Sequence, residues 1–435
     1  MDIKKIYADF EAALAVHDLE TVCKIFVQTM EYGNALAQAG KRKEIPPEAD
    51  KIISYVNVML YHVMKLLSDG DFEAAKFYLF APRKAQMNFN ANYLHLYYLT
   101  GRAFYGTNDF IRAIKFFTEY ENLRTKHFSD VDEVGLFFHA NCLALTGNFS
   151  AAAGLYEKIL RIKANFPEAK KNLEAVRRGS TEIVRELFSL WNFPNWRDVP
   201  IFINARDRLG VMKKLIDWLL AAGYRKLIIL DNRSTYPPLL EYYSALESDW
   251  RVKVIRLEKN FGFKAIWLSG VLERLKIATP YVYTDPDVLP IERCPKDFVK
   301  RLMKILDGNH EIRKVGPGLV YDDITFFNAD ACKDQEKFFY ESTQVGDELY
   351  YVQIDTTFAL YSNTRHYSLR FSLRTLGDLM TYHLPWYFDY DNLPDDEKYY
   401  MEHTDKSSSV AMYFKNFQQQ RERQEFSVGS YVHNS

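Results

Sequence analysis

Asp285 and Asp287 flank a single proline at the end of the run Tyr281-Val282-Tyr283-Thr284-Asp285-Pro286-Asp287. The aromatic and β-branched residues before them read as a short buried strand, which places both carboxylates at its carboxyl end. Carboxylates so placed can face one hard cation, Mn2+ or Mg2+, which takes oxygen ligands and completes its shell with diphosphate oxygens. Such a cation neutralises the charge that builds on a departing nucleoside diphosphate. An Asp-x-Asp alone says little in a chain with 57 acidic residues, so its setting decides.

Three earlier apolar runs end in the same way. VPIFIN leads into Asn204-Ala205-Arg206-Asp207-Arg208, KLIIL into Asp231-Asn232-Arg233-Ser234-Thr235, and RVKVIRL into Asn260-Phe261-Gly262. Helical stretches separate them. In LGVMKKLIDWLLAAG the apolar positions Val211, Leu215, Trp218, Leu219 and Ala222 fall at helical spacing and Gly223 closes the helix. PPLLEYYSALE opens on proline, and AIWLSGVLERLKIA reads as one further helix. Alternating strands and helices make a parallel α/β sheet, whose ligands bind beyond the carboxyl ends of the strands. Beyond residue 300, VGPGLVY and TTFALYS read as strands, and FSLRTLGDLMTYHLPWY as helix mixed with loop.

In order and type, these strand ends resemble the nucleotide-binding half of GT-A-fold glycosyltransferases over residues 199–290. Asp231-Asn232-Arg233-Ser234-Thr235 matches their Asp-Asn-x-Ser/Thr turn, Asn260-Phe261-Gly262 their Asn-x-Gly turn, and Asp285-Pro286-Asp287 their Asp-x-Asp. The resemblance implies that Asp231 contacts the nucleobase or ribose. It also implies that Asp285 holds ribose or a metal-bound water, and that Asp287 ligates the metal. Asn204 and Arg206 would lie near base and phosphate, with Asn232 and Asn260 completing the donor-binding set. Each residue also has a plain structural reading. Asp231 and Asn232 favour turns, Asn260-Phe261-Gly262 makes a tight turn unaided, and Arg206 suits an ion pair at a strand end. Family members often add a late histidine to the metal. His383, before Pro385-Trp386-Tyr387, is the choice here, with His403 as its competitor. For the base that deprotonates the acceptor hydroxyl in an inverting reaction, the choice is Asp355, in an otherwise uncharged run, over Asp347 and Glu348. In a retaining reaction Asp355 would position substrate instead.

These elements sit behind a repetitive first part. Asp69-Gly70-Asp71-Phe72, Thr107-Asn108-Asp109-Phe110 and Thr146-Gly147-Asn148-Phe149 recur about every 38 residues, each before an alanine-containing helix. His17-Asp18-Leu19-Glu20 opens a degenerate first copy, and Pro167 opens a last, capping helix that Gly179-Ser180 ends. The pattern resembles tetratricopeptide-like repeats, with small residues (Gly101, Ala140) at helix crossings.

Composition excludes other classes. Net charge is −1, which gives no basic excess to attract nucleic acid. Cys23, Cys142, Cys294 and Cys332 are scattered, with no zinc spacing, as in a reducing compartment. No apolar run is long enough to span a bilayer, and the first residues lack the core of a signal peptide. The 30 Tyr and 31 Phe suit ordinary core packing better than sugar stacking.

The fold expected is therefore multi-domain. An all-α, TPR-like repeat domain over 1–180 precedes a connecting segment over 181–197. An α/β GT-A domain (nucleotide-diphospho-sugar transferase, Rossmann-like) occupies 198–435. The function expected is metal-dependent transfer from a UDP- or GDP-linked sugar to a hydroxyl on a glycan or glycolipid. The place expected is the cytoplasm, as a protein peripheral to the membrane where the acceptor is lipid-linked. The repeats would bind a partner protein, a second copy of the chain, or the acceptor. Two alternatives are a catalytically inactive repeat scaffold and a sugar nucleotidyltransferase. The second lacks support because the first loop carries only Gly210.

Overall fold

The computed structural model describes residues 2–404 except 40, 42–43, 86–93, 129–130, 188–194, 278–279, 310–311, 326–328, 363, 365 and 370. Two compact units form, one built on Met1–Asn192 and the other on Phe193–Leu306 and most of the remaining chain.

The first unit is helical: α1 (Ile3–Ala15), α2 (Leu19–Gln38), α3 (Pro47–Asp69), α4 (Phe72–Lys84), α5 (His95–Gly106), α6 (Phe110–Phe128), α7 (Glu133–Leu145), α8 (Phe149–Ile162) and α9 (Pro167–Arg177). One turn recurs in it. His17, Gly70, Asn108 and Gly147 all take left-handed backbone, with φ of 57°, 82°, 60° and 82°. The next residue in each copy, Asp18, Asp71, Asp109 or Asn148, accepts the N–H of Thr21, Ala74, Arg112 or Ala151. Each thereby satisfies a donor that the first turn of a helix leaves open. The degenerate copy at His17 thus has the same geometry as the others.

Close crossings need glycine. A Cβ on Gly101 would come within 2.8 Å of the Phe117 ring, and one on Gly106 would run into Phe72. Tyr98, Tyr105, Tyr120, Tyr156, Phe117 and Phe137 are fully buried here, so the aromatic content serves the core.

The second unit is a mixed α/β sheet. β1 (Ile201–Ala205), β2 (Leu227–Asp231), β3 (Val252–Arg256) and β4 (Tyr281–Thr284) lie parallel in the order β3-β2-β1-β4. α10 (Leu209–Ala221) and α11 (Pro237–Leu246) are the crossovers between the first three strands, and Gly223 comes just after α10 at φ 90°. Crossovers of this kind leave β1, β2 and β4 open at their carboxyl ends. Past β4, strand Ala359–Tyr361 pairs antiparallel with it. β5 (Val288–Pro290) and β6 (Lys314–Leu319) then join strand Ser372–His383, β5 antiparallel and β6 parallel.

Two segments differ from the sequence reading. AIWLSGVLERLKIA is not one helix but two short ones, Ala265–Leu268 and Val271–Arg274, parted by Gly270 at φ 66°. FSLRTLGDLMTYH is not helix and loop but a strand of 12 residues, Ser372–His383. Its register on β6 shifts between Thr375 and Met380, where Gly377 takes φ 64°. That bulge breaks the period-two alternation by which a strand is recognised.

Candidate active site

Each strand end is built differently. At the end of β1 the chain turns through Asp207, buried at φ 56°. Its Oδ1 accepts the N–H groups of Thr235 (2.5 Å) and Tyr236 (2.9 Å), which ties the loop after β1 to the loop after β2. Arg206 reaches outward, its Nε 3.7 Å from Asp207 Oδ2 and one amino group donating to the His403 carbonyl at 3.4 Å.

Asp231 is buried and engaged. Oδ1 accepts from Ser234 N at 2.9 Å, and Oδ2 accepts from Arg256 at 3.3 Å. The asparagines converge on one turn. Asn232 accepts from Phe261 N (2.7 Å) and donates to the Gly262 carbonyl (2.9 Å). Asn204 donates to the same carbonyl at 3.3 Å, and Asn260 accepts from Gly262 N at 2.8 Å. In this geometry Asn204, Asn232 and Asn260 brace the Phe261-Gly262 turn, whose glycine has φ 63°. Among the described residues, the buried Asn204 Oδ1 has no hydrogen-bond partner.

The acidic centre lies at the end of β4. Thr356 donates its hydroxyl to Asp285 Oδ2 at 2.8 Å, and Asp285 N donates to the Thr356 carbonyl at 3.0 Å. Asp355, exposed and adjacent to Thr356 in sequence, therefore lies close by, with Tyr367 donating to its Oδ1 at 2.6 Å. Glu348, its competitor, lies against Gly377 instead. Burial, then the charge of Asp287, pushes the Asp285 carboxyl well above the usual carboxylate range.

Asp287 has a different environment. Antiparallel pairing sets His383 opposite Val288, and Leu384 N donates to the Asp287 carbonyl at 2.8 Å. His383 Nε2 then stands 3.6 Å from Asp287 Oδ2. Arg208, also buried, donates to that Oδ2, and its far side is held by Glu397 at 2.9 and 3.0 Å. Burial pushes the Asp287 carboxyl up, but Arg208 and His383 more than offset it and hold it below its usual range. Burial lowers the His383 imidazole and raises the Glu397 carboxyl. His403 is engaged elsewhere: its Nδ1 lies 2.8 Å from the Tyr399 carbonyl and its ring stacks on Tyr399.

Of the expected metal ligands, the fold brings Asp287 and His383 together and turns Asp285 toward Thr356. Among the described residues no group of three or more His, Cys, Asp and Glu side chains is arranged to hold a metal ion. At 3.6 Å, His383 Nε2 and Asp287 Oδ2 are too far apart for a hydrogen bond, and that Oδ2 accepts from Arg208. The other oxygen of Asp287, Oδ1, and the other ring nitrogen of His383, Nδ1, are buried without partners among the described residues. A cation that keeps one or two protein ligands and shares a diphosphate needs no all-protein cage.

Sequence reasoning does not single out Arg208 and Glu397. Arg208 stands in the polar run after β1 beside the chosen Arg206, but its partner lies 189 positions away. The helix Asp395–His403 that carries Glu397 also supplies Asp396, which accepts from Gly210 N at 2.6 Å. That contact caps α10, whose own N-cap residue, Arg208, makes no side-chain capping bond. Lys314 also escapes notice in the sequence. It is buried on β6, and its ammonium donates to the carbonyls of Ile354 (2.5 Å) and Ser368 (2.6 Å), clamping the loop that carries Asp355. Among the described residues no helix is long and apolar enough to cross a membrane.

No protein-family profile matches the chain, and no curated protein matches it. Two solved structures that align with it are glycosyltransferases. A mutant of the Thermobaculum terrenum O-GlcNAc transferase aligns at 11% identity and a TM-score of 0.25, over 47% of this chain and 46% of that one. The chain thus spans under half the length of that relative. The mannosyltransferase PcManGT from Pyrobaculum calidifontis, solved with GDP-Man and Mn2+, aligns at 15% identity and a TM-score of 0.31, over 56% and 68%.

Proposed function

We propose that this chain is a glycosyltransferase of the GT-A type behind a tetratricopeptide-like repeat unit. It moves a sugar from a UDP- or GDP-linked donor to a hydroxyl of a glycan or glycolipid. The observation that carries this reading is the convergence of Asp285, Asp287, His383 and Asp355 at the carboxyl end of β4. In an open α/β sheet that is where a ligand sits.

Asp287 and His383 are the residues that would hold Mn2+ or Mg2+, and such a cation would supply neutralisation of the donor diphosphate. Asp285, whose carboxyl is pushed above its usual range by burial and by Asp287, would contact the ribose or a water at the same strand end. Asn204 Oδ1 is an acceptor left for the donor at the end of β1. Asp231, Asn232 and Asn260 act one step back, by fixing the turns against which the nucleotide lies. Asp355 is exposed and oriented by Tyr367, as a base for an acceptor hydroxyl must be.

The bond between Arg208 and Asp287 favours a second reading, in which the sheet unit has lost turnover and the repeats make the protein a scaffold. Calorimetric titration with UDP and with GDP, with and without Mn2+, separates the two. Manganese-dependent binding of one nucleotide, lost in Asp287→Ala, is the expected result. No binding of either nucleotide by folded protein would promote the scaffold.

A further inference from the structure

Arg208 is held unequally on its two sides. The helix Asp395–His403 grips one of them. Arg208 Nε donates to both oxygens of Glu397, at 2.9 and 3.0 Å, and the guanidinium lies 4.9 Å from the centre of the Tyr400 ring. Towards the sheet it has one bond, from Nη1 to Asp287 Oδ2. Nη2 stands 2.9 Å from Glu397 Oε2 but is not aligned for a hydrogen bond, and it makes none among the described residues. All three charged side chains are buried. Glu397 and Tyr400 therefore keep hold of the guanidinium when the bond to Asp287 breaks.

Asp287 is also the carboxylate that the proposed cation would need. Its Oδ2 is taken by Arg208, while its Oδ1 is buried with no hydrogen-bond partner among the described residues. A buried carboxylate without a counter-charge is strongly destabilising, so Asp287 needs Arg208 until another cation replaces it. A divalent cation and a guanidinium repel each other, so the two compete for Oδ2. Arg208 stands at the start of α10, just past the carboxyl end of β1, where an open α/β sheet binds its ligand. A diphosphate that shares a cation with Asp287 brings its oxygens near the displaced guanidinium. The planar fork of arginine matches phosphate oxygens.

We propose that Arg208 is an exchangeable counter-ion of the donor site. It neutralises Asp287 until a divalent cation takes that carboxylate, then turns on Glu397 to the donor diphosphate. The exchange makes cation and nucleotide bind cooperatively, and by linkage each tightens the other by the same factor. It gives the bond between Arg208 and Asp287 a use in a working enzyme. The inference rests on the sugar-transfer reading and adds to it a donor-binding residue outside the expected set.

The test titrates MnCl2 into the full chain, alone and with saturating UDP or GDP, and reads free Mn2+ by electron paramagnetic resonance. The variants are Arg208→Met and, because the loss of one buried charge strains folding, Arg208→Met combined with Glu397→Met. Without nucleotide, either variant, folded by circular dichroism, should bind Mn2+ about tenfold tighter than wild type, because the competitor is gone. With Mn2+ saturating, each should bind the selected nucleotide about tenfold more weakly, because the phosphate loses its arginine. A residue that only braces the site predicts the opposite sign in the first measurement, since its loss would loosen Asp287 and weaken Mn2+. Mn2+ bound no tighter, or nucleotide bound no more weakly, by the folded variants would overturn the proposal. Manganese-dependent nucleotide binding by the wild type would then still stand for the sugar-transfer reading. Neither Mn2+ nor nucleotide bound by the wild type would overturn both.

Discussion

His383 Nε2 stands 3.6 Å from Asp287 Oδ2, and the register of one antiparallel pair, His383 on Val288, puts it there. His403 is spent on its own helix. Removal of His383 should therefore weaken Mn2+ binding in the presence of the selected nucleotide, by about ten- to a hundredfold. His403→Ala should leave it unchanged. Calorimetry on the two variants decides this, and equal losses in both would remove His383 from the metal site.

Arg208 lies between Asp287 and Glu397 with all three side chains buried. Truncating one partner of a buried ion pair leaves uncompensated charge and costs about 3–5 kcal/mol. Arg208→Met should lower the urea midpoint accordingly. Arg208→Met combined with Glu397→Met should recover part of the loss, because only Asp287 then remains unpaired. A double variant less stable than the single one would show that Glu397 has another partner.

Strand ends were legible because β1, β2 and β4 are buried on both faces and so read as unbroken apolar runs closed by polar residues. Repeat turns were legible because a left-handed residue and a cap confine the choice to Gly, Asn, Asp and their like. The partnership of Arg208 with Glu397 was not, because it depends on where a distant helix docks. Nor was the place of His383, which is set by a strand whose bulge at Gly377 hides its alternation. Asp231 looks like a donor contact by its position. Only the folded loops reveal that Ser234 and Arg256 already occupy both of its oxygens.

Asp355 is exposed, and Tyr367 fixes its carboxylate at 2.6 Å. A positioned base contributes about 10²–10⁴-fold to rate. Asp355→Asn should lower single-turnover transfer by that range while leaving nucleotide affinity within about twofold. Tyr367→Phe should show a smaller fall of the same kind. A loss of nucleotide affinity in Asp355→Asn that matched the loss of rate would make Asp355 a binding residue instead.

Lys314 gives the loop around Asp355 a pH dependence. Burial pushes its ammonium down from 10.5 to about 7. Below about pH 7 the folded and unfolded chains both hold the proton, and the contribution of Lys314 to stability is flat. Between about 7 and 10 the unfolded chain binds a proton that the folded chain does not, so this contribution rises with pH. Lys314→Met removes the titration along with the two bonds to Ile354 and Ser368. The stability difference between wild type and variant, from urea unfolding at pH 6 to 10, should therefore be constant at the acid end. It should then move in favour of the wild type by about 1.4 kcal/mol per pH unit. Parallel curves across the whole range would mean that the carbonyls of Ile354 and Ser368 keep Lys314 charged. In that case the loop would be clamped at every pH in which the protein is folded.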